Sequence, residues 1–279
     1  EKNAYTMKTL NDAVMLRNRI IDMLEQAENE TDPILRKSFL TFVIVGGGFA
    51  GIETAGELMD LLLDARKHYP TIHREDIKVI VLEALPMILP GFNEKLAKFA
   101  KQKMVERGID IRLKTAVTSF DGTEVTVKSL DVYTKDSVDE SKIDVIRTKT
   151  LVWTAGVTPV NTVKRSMLKT DKGKVIVNDF LEVPEFSGVF AIGDCALLMD
   201  PQINRPFAPT AQLAEAQAKT AAHNLNALIK NLEKEKFQFQ SKGQMAIIGK
   251  RTGIATFLGM NISGLLAWLI WRNVYLSKI

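Results

Sequence analysis

The feature that most limits the fold is Gly46-x-Gly48-x-x-Gly51, set between a β-branched run, Phe39 to Val45, and a helical pattern from Phe49 to Arg66 carried by Ile52, Met59, Leu62 and Leu63. Glycines at this spacing allow a tight turn, close approach of backbone to a pyrophosphate, and close packing of helix on strand. Between a strand and a helix they point to a dinucleotide whose phosphates face a helix N-terminus. Phe49 and Ala50, inside the motif, belong to the same candidate pocket. A plain structural turn is the alternative.

The run Ile77 to Leu82 reads as a second strand, closing a βαβ unit. Glu83 at its end is placed to accept hydrogen bonds from the adenosine ribose hydroxyls and to repel a 2′-phosphate, which favours NADH over NADPH. An ordinary strand-end glutamate is the alternative. A charged helix is expected from about Asn93 to Arg107, stopped by Gly108, followed by a strand at Ile109 to Leu113. Alternation from Val117 to Leu130 around Asp121-Gly122 predicts a hairpin. The charge-rich stretch Asp131 to Lys149 reads as an exposed hairpin extension, and Thr150 to Thr154 as a returning strand.

Before the glycine motif, apolar positions at helical spacing (Leu10, Ala13, Val14, Ile20, Ile21, Leu24) predict a helix over residues 8 to 27, with a break at Pro33. Beyond Thr154, short strands are expected at Val175 to Val177 and Val189 to Ile192, and a long helix from about Pro209 to Leu232.

A length of 279 residues with 46% hydrophobic and 25% charged side chains suits roughly two globular domains. The formal charge of +4 favours anionic partners, among which lipid headgroups and nucleotide phosphates both qualify. Cys195 is the only cysteine, which excludes a disulfide scaffold, a thiolate zinc site and a CxxC redox pair within the chain and suggests a reducing compartment. His68, His73 and His223 share no metal-ligand spacing, so no metal is expected. The chain opens on Glu1 without a signal-like segment, as a fragment or processed product would, and no apolar run reaches the roughly 18 to 20 residues of a spanning helix.

Three further segments complete the pattern. Trp153-Thr154-Ala155-Gly156 is a strand exit; Phe190-Ala191-Ile192-Gly193-Asp194 is a second apolar run ending in Gly-Asp; and Thr210-Ala211-Gln212-Leu213-Ala214-Glu215-Ala216-Gln217-Ala218 opens the long helix. The last segment, Gly264 to Ile279, mixes leucine and isoleucine with Trp268, Trp271 and Tyr275 beside Arg272 and Lys278, a composition suited to an interfacial helix.

Taken together, the glycine turn, the Ala191-x-Gly193-Asp194 motif and the Ala211-Gln212 helix start resemble the type II NADH:quinone oxidoreductases, within the two-dinucleotide-domain flavoproteins. The resemblance implies an α/β fold: a Rossmann-like NADH domain plus part of an FAD domain, with a C-terminal amphipathic helical region. On this division residues 1–37 belong to the FAD domain and a connecting helix, 38–152 form the NADH domain with its β-meander, 153–232 return to the FAD domain, and 233–279 form the C-terminal region.

The resemblance also assigns roles. FAD and NADH are the implied cofactors. Gly46, Gly48, Phe49, Ala50, Gly51, Glu53 and Glu83 would serve NADH; Thr154, Ala155 and Gly156 mark the crossover; Gly193 and Asp194 would meet the flavin ribityl chain, with Ala211 and Gln212 beside its ring. Gln212 and Gln217 offer neutral donors and acceptors to a quinone carbonyl, and Glu53 is placed to tune charge transfer or relay a proton, although it also suits a helix-dipole partner. The expected activity is hydride transfer from NADH to FAD, then two-electron reduction of a membrane quinone without proton pumping. Expected partners are NADH, a quinone, a membrane surface met by the C-terminal helix and a second copy in a homodimer, with no nucleic acid. The expected place is the cytoplasmic face of a cell membrane, or the mitochondrial inner membrane.

Family members open with a further strand-GxGxxG-helix unit for the ADP half of FAD, whereas residues 1 to 39 contain no glycine, so these residues are expected to bind NADH but not to hold flavin firmly. Alternatives are a soluble ferredoxin or rubredoxin reductase and a non-catalytic NADH-binding module.

Overall fold

The computed structural model describes residues 3–130, 143–156, 161–201, 204–257 and 259–277. Two compact units are present, one of Glu1–Ala155 with Gly243–Ile279 and the other of Gly156–Lys242.

The first unit begins with β1 (Tyr5–Thr6) and α1 (Leu10–Asn29). Thr9 caps α1, its hydroxyl accepting from Asp12 N–H while the Asp12 carboxylate accepts from Thr9 N–H, a reciprocal capping box. A second helix, α2 (Pro33–Phe39), follows where only a break was expected. Pro33 occupies its first turn, where a missing N–H costs nothing, and Asp32 caps it through Ile34 N–H at 2.8 Å. Phe39, which has strand composition, therefore ends this helix.

Then come β2 (Thr41–Val45), α3 (Phe49–Ala65), β3 (Lys78–Leu82), α4 (Glu94–Glu106), β4 (Ile109–Arg112), the strands β5 (Thr115–Phe120), β6 (Glu124–Ser129) and β7 (Ile143–Arg147), and β8 (Thr150–Trp153). Among the described residues β1, β8, β2, β3 and β4 form, in that order, a parallel five-stranded sheet. Its central strands alternate faces: Phe42 and Ile44 join the core under α1, α3 and α4, while Val43 and Val45 join Val125, Val127 and Ile146 of the antiparallel meander β5–β7. The sheet is thus covered by helices on one face and by the meander on the other. The expected hairpin at Asp121-Gly122 is present, with Asp121 Oδ1 accepting from Thr123 and Glu124 N–H and Gly122 at φ +103°. The expected extension from Asp131 to Lys149 supplies β7; its residues 131–142 lie outside the described residues.

The second unit holds α5 (Asn161–Arg165), β9 (Thr170–Asp171), β10 (Lys174–Ile176), β11 (Ala196–Leu197), β12 (Met199–Asp200), β13 (Arg205–Pro206) and α6 (Ala211–Lys230). The strand expected at Val189–Ile192 does not form. Only an isolated bridge, Glu182 to Phe190, is made there, and the chain turns into a short 3-10 segment at Gly193–Cys195.

Residues 243–277 return to the first unit as an antiparallel meander, β14 (Gly243–Gly249), β15 (Thr252–Phe257) and β16 (Met260–Gly264), and a last helix, α7 (Leu265–Leu276). Ala246, Ile248 and Ile254 of this meander enter the core on the helical face of the parallel sheet. Arg107 pins the junction. Its guanidinium reaches Asp60 at 2.5 Å and Gly56 C=O at 3.3 Å, and a Cβ at Gly249 would lie 1.5 Å from it, so that position tolerates no side chain without expelling the arginine. Among the described residues no helix is long and apolar enough to cross a membrane.

Candidate functional site

In the first unit the candidate site is built on the turn between β2 and α3. Gly46 has φ +110°, and a Cβ on it would meet Thr154 and Ala155 at 3.0 Å. A Cβ on Gly51 would lie 1.8 Å from Gly46 C=O, so helix and turn meet at a distance only glycine permits. Gly48 differs: its φ is −74°, and nothing lies within 4 Å of where its Cβ would stand. It caps α3 without a side-chain hydrogen bond, and no acidic residue occupies the first turn, so the leading N–H groups of α3 face outward without a carboxylate competitor. That combination fits a phosphate.

Glu83, only 9% exposed, stands at the end of β3 as expected. Its Oε2 accepts from Gly47 N–H at 2.5 Å and its Oε1 from Leu85 N–H at 2.8 Å. Gly47, which the spacing rule passes over, is therefore part of the site; the only sign of it in the sequence is that three glycines stand in a row. Leu89, at φ +50°, donates its N–H to Gly47 C=O at 2.7 Å and ties the following loop to the turn. Phe49 is half-buried against Phe92, with ring centroids 5.3 Å apart, and Ala50 is exposed.

Thr154 leaves β8 beside the turn, its N–H and hydroxyl both donating to Val45 C=O at 2.9 and 2.8 Å. Trp153 Nε1–H reaches Ala155 C=O at 2.9 Å, and Gly156 has φ +76°. Glu53, one turn into α3, is half-buried, and its Oε1 accepts from Ile247 N–H at 3.2 Å. Burial pushes its carboxyl above the ordinary glutamate value of 4.5, the Ile247 hydrogen bond opposes this, and the nearby Glu57 charge adds to it.

In the second unit Gly193 has φ +68°, and its N–H donates to Gln217 Oε1 at 2.6 Å. Gln217 is 1% exposed, so it holds the Gly193-Asp194 turn from beneath and does not present its carbonyl outward. Sequence reasoning gave that side chain to a quinone; the fold gives it a positioning role. Asp194 is exposed and makes no hydrogen bond among the described residues, which leaves its carboxylate open to a hydroxyl-bearing ligand. Thr210 caps α6 through Leu213 N–H at 3.2 Å, Ala211 is exposed, and half-buried Gln212 accepts from Lys242 N–H at 3.2 Å. Cys195 donates its thiol to Ile192 C=O at 3.1 Å.

Residues 2–222 match the pyridine nucleotide-disulphide oxidoreductase family. The chain is 34% identical over 288 residues to a probable NADH dehydrogenase of Dictyostelium discoideum, covering 100% of this chain and 59% of that protein. It is 32% identical over 285 residues to a type II NADH:quinone oxidoreductase of Mycobacterium tuberculosis, covering 98% of this chain and 58% of that one. The chain thus spans little more than half the length of these relatives. In fold it is similar to an NDH2 of Plasmodium falciparum solved in complex with NADH, with a TM-score of 0.84 at 19% identity over 99% of this chain and 69% of that one.

Proposed function

Because the chain belongs to the pyridine nucleotide-disulphide oxidoreductase family, we propose that it is the NADH-binding and quinone-facing part of a type II NADH:quinone oxidoreductase. The observation that carries this reading is the uncapped start of α3, where Gly48 opens on free space one strand away from the Glu83 carboxylate. The pyrophosphate of NADH would lie against those N–H groups and its adenosine ribose against Glu83.

On the flavin side, Gly193 and the free Asp194 carboxylate suit the ribityl hydroxyls, and Gln217 fixes the turn that presents them. FAD, when bound, supplies hydride acceptance and two-electron delivery. The chain's own residues do the rest: the glycine turn orients NADH, Glu83 selects against a 2′-phosphate, Gln212 serves the quinone carbonyl, and Glu53 holds a proton.

The exposed leucines of α7, Leu265, Leu266 and Leu269, with Trp268, Trp271 and Arg272 among them, suit peripheral attachment to a membrane face, either the cytoplasmic face of a cell membrane or the mitochondrial inner membrane. A homodimer is part of the same reading, with α7 as the competing contact.

NADH oxidation tested with a short-chain quinone against a ferredoxin-type protein acceptor separates this reading from a soluble reductase. Quinone-dependent oxidation with a bound-flavin spectrum is expected once a segment binding the ADP half of FAD is supplied, whereas residues 1–279 alone are expected to bind NADH without holding flavin firmly. NADH binding with neither flavin nor quinone turnover, even with that segment supplied, would leave a non-catalytic module.

A further inference from the structure

The register of the parallel sheet sets two side chains on either side of the glycine turn. Val45, the last residue of β2, pairs with Trp153 of β8 on one side and Leu82 of β3 on the other, so the residues that follow, Thr154 and Glu83, flank the turn from opposite directions. Both peptide units of the turn are held at both ends. The Val45 C=O accepts the Thr154 N–H at 2.9 Å and the Thr154 hydroxyl at 2.8 Å, while the N–H of the same peptide, that of Gly46, donates to Leu82 C=O at 2.8 Å. In the next peptide the Gly46 C=O has the Thr154 hydroxyl at 3.4 Å, and the Gly47 N–H donates to Glu83 Oε2 at 2.5 Å. The C=O and N–H of a trans peptide point in opposite directions, so Thr154 and Glu83 act on one plane from its two ends.

That plane joins two glycines, which lack the Cβ atoms that would otherwise restrict its rotation. As it stands, the Gly46 carbonyl is wedged between the Thr154 hydroxyl and Gly51, where a Cβ would lie 1.8 Å from its oxygen, and it keeps clear of the space before α3, since nothing lies within 4 Å of the Cβ position of Gly48. A rotated plane would aim the carbonyl oxygen, in place of the N–H, at the Glu83 carboxylate and push that side chain from its seat.

We propose that Thr154 is a positioning residue of the nucleotide site: its hydroxyl holds the Gly46–Gly47 peptide so that the Gly47 N–H keeps the Glu83 carboxylate in place for the ribose of NADH. The inference rests on the reading above that this turn binds NADH, whereas the clamp itself belongs to the nucleotide-free chain. Half-buried Thr154 meets the need with its hydroxyl and not with its bulk. Valine has nearly the same shape without the donor. At position 154 it would leave the Val45 C=O its backbone N–H, and the sheet its register, but would strip the Gly46 C=O of its side-chain neighbour. Serine keeps the donor and loses only the methyl.

Amide hydrogen exchange at Gly47, read by NMR in the nucleotide-free protein, tests the clamp. Thr154→Val should speed it about tenfold, Thr154→Ser should leave it near wild type, and exchange at Val43 inside β2 should stay level in both, which a general loosening of the fold would not allow. In calorimetric titration NADH affinity should fall about tenfold in Thr154→Val and recover in Thr154→Ser, and the losses from Thr154→Val and Glu83→Gln should be less than additive, because both act through one peptide. Unchanged Gly47 exchange in Thr154→Val, a Thr154→Ser variant as impaired as Thr154→Val, or fully additive losses overturns the proposal. If Thr154→Val does not fold, Thr154→Ala, which only removes atoms, takes its place in the same measurements. If wild type binds no NADH, the functional reading fails, and the Gly47 exchange alone decides whether Thr154 clamps the turn.

Discussion

The backbone N–H of Gly47 donates to Glu83 Oε2 at 2.5 Å, so the carboxylate expected to read the ribose also holds the phosphate turn in shape. Its other oxygen accepts from Leu85 N–H, so both oxygens face donors. A glutamine cannot meet two N–H groups with two acceptors. Glu83→Gln should therefore lose about 1–3 kcal/mol of stability and weaken NADH binding as well as the preference over NADPH. Thermal denaturation alongside titration of both nucleotides checks this; unchanged stability with equal affinity for the two would remove Glu83 from both roles.

Gln217 offers a second separation of structure from chemistry. Its amide oxygen is the partner of Gly193 N–H in a buried setting, so Gln217→Ala should cost about 1–3 kcal/mol and loosen the Gly193-Asp194 turn while leaving NADH affinity unchanged. FAD affinity by fluorescence titration, compared with nucleotide titration, reads the two effects apart, since even weak flavin binding gives a wild-type baseline. Equal loss of both would mean that the residue acts on the whole chain.

Glu53 gives a pH signature. Its folded carboxyl lies above 4.5, chiefly through burial, so the folded state keeps a proton that the unfolded chain releases. The stabilising contribution is fully present below 4.5 and is lost as pH rises through the raised folded value. Glu53→Gln is neutral throughout, so the stability of wild type relative to the variant should fall with rising pH and then level off in denaturant unfolding. A difference that is flat with pH would contradict the shift.

For α7, Leu266 is 58% and Leu269 40% exposed, and the helix buries only Ala267 among its described residues. Leu266→Glu with Leu269→Glu should abolish co-sedimentation with anionic vesicles, since each leucine withdrawn from the interface forfeits about 1.5–3 kcal/mol. Wild type that fails to sediment at low salt would assign this face to a protein contact.

Legibility in the sequence followed locality. The β2–α3 turn, α4 with its Asn93 cap, α6 and the hairpin at Asp121 depend on residues a few positions apart and were readable to within two or three residues. Strand β1 was not, since two residues owe their conformation to β8 far along the chain. The meander β14–β16 was also missed: Gly243, Gly249 and Gly253 interrupt its alternation, and its place depends on Gly56 and Arg107. The over-read strand at Val189–Ile192 has strand composition but only one bridging partner. At the site the glycine spacing could be read directly, whereas Gly47 and the burial of Gln217 follow from contacts between elements, which no spacing rule contains.

At Gly48 the Cβ position is open and the φ of −74° suits alanine, so Gly48→Ala should fold normally. The measurement is a calorimetric titration of NADH into wild type and Gly48→Ala, with the melting temperature of each recorded. Saturable one-to-one binding to wild type is expected, weakened at least about tenfold in the variant at unchanged melting temperature, because the added methyl stands where the pyrophosphate must approach. Equal NADH affinity in the two proteins, or no binding to wild type, would contradict the assignment of this turn to NADH.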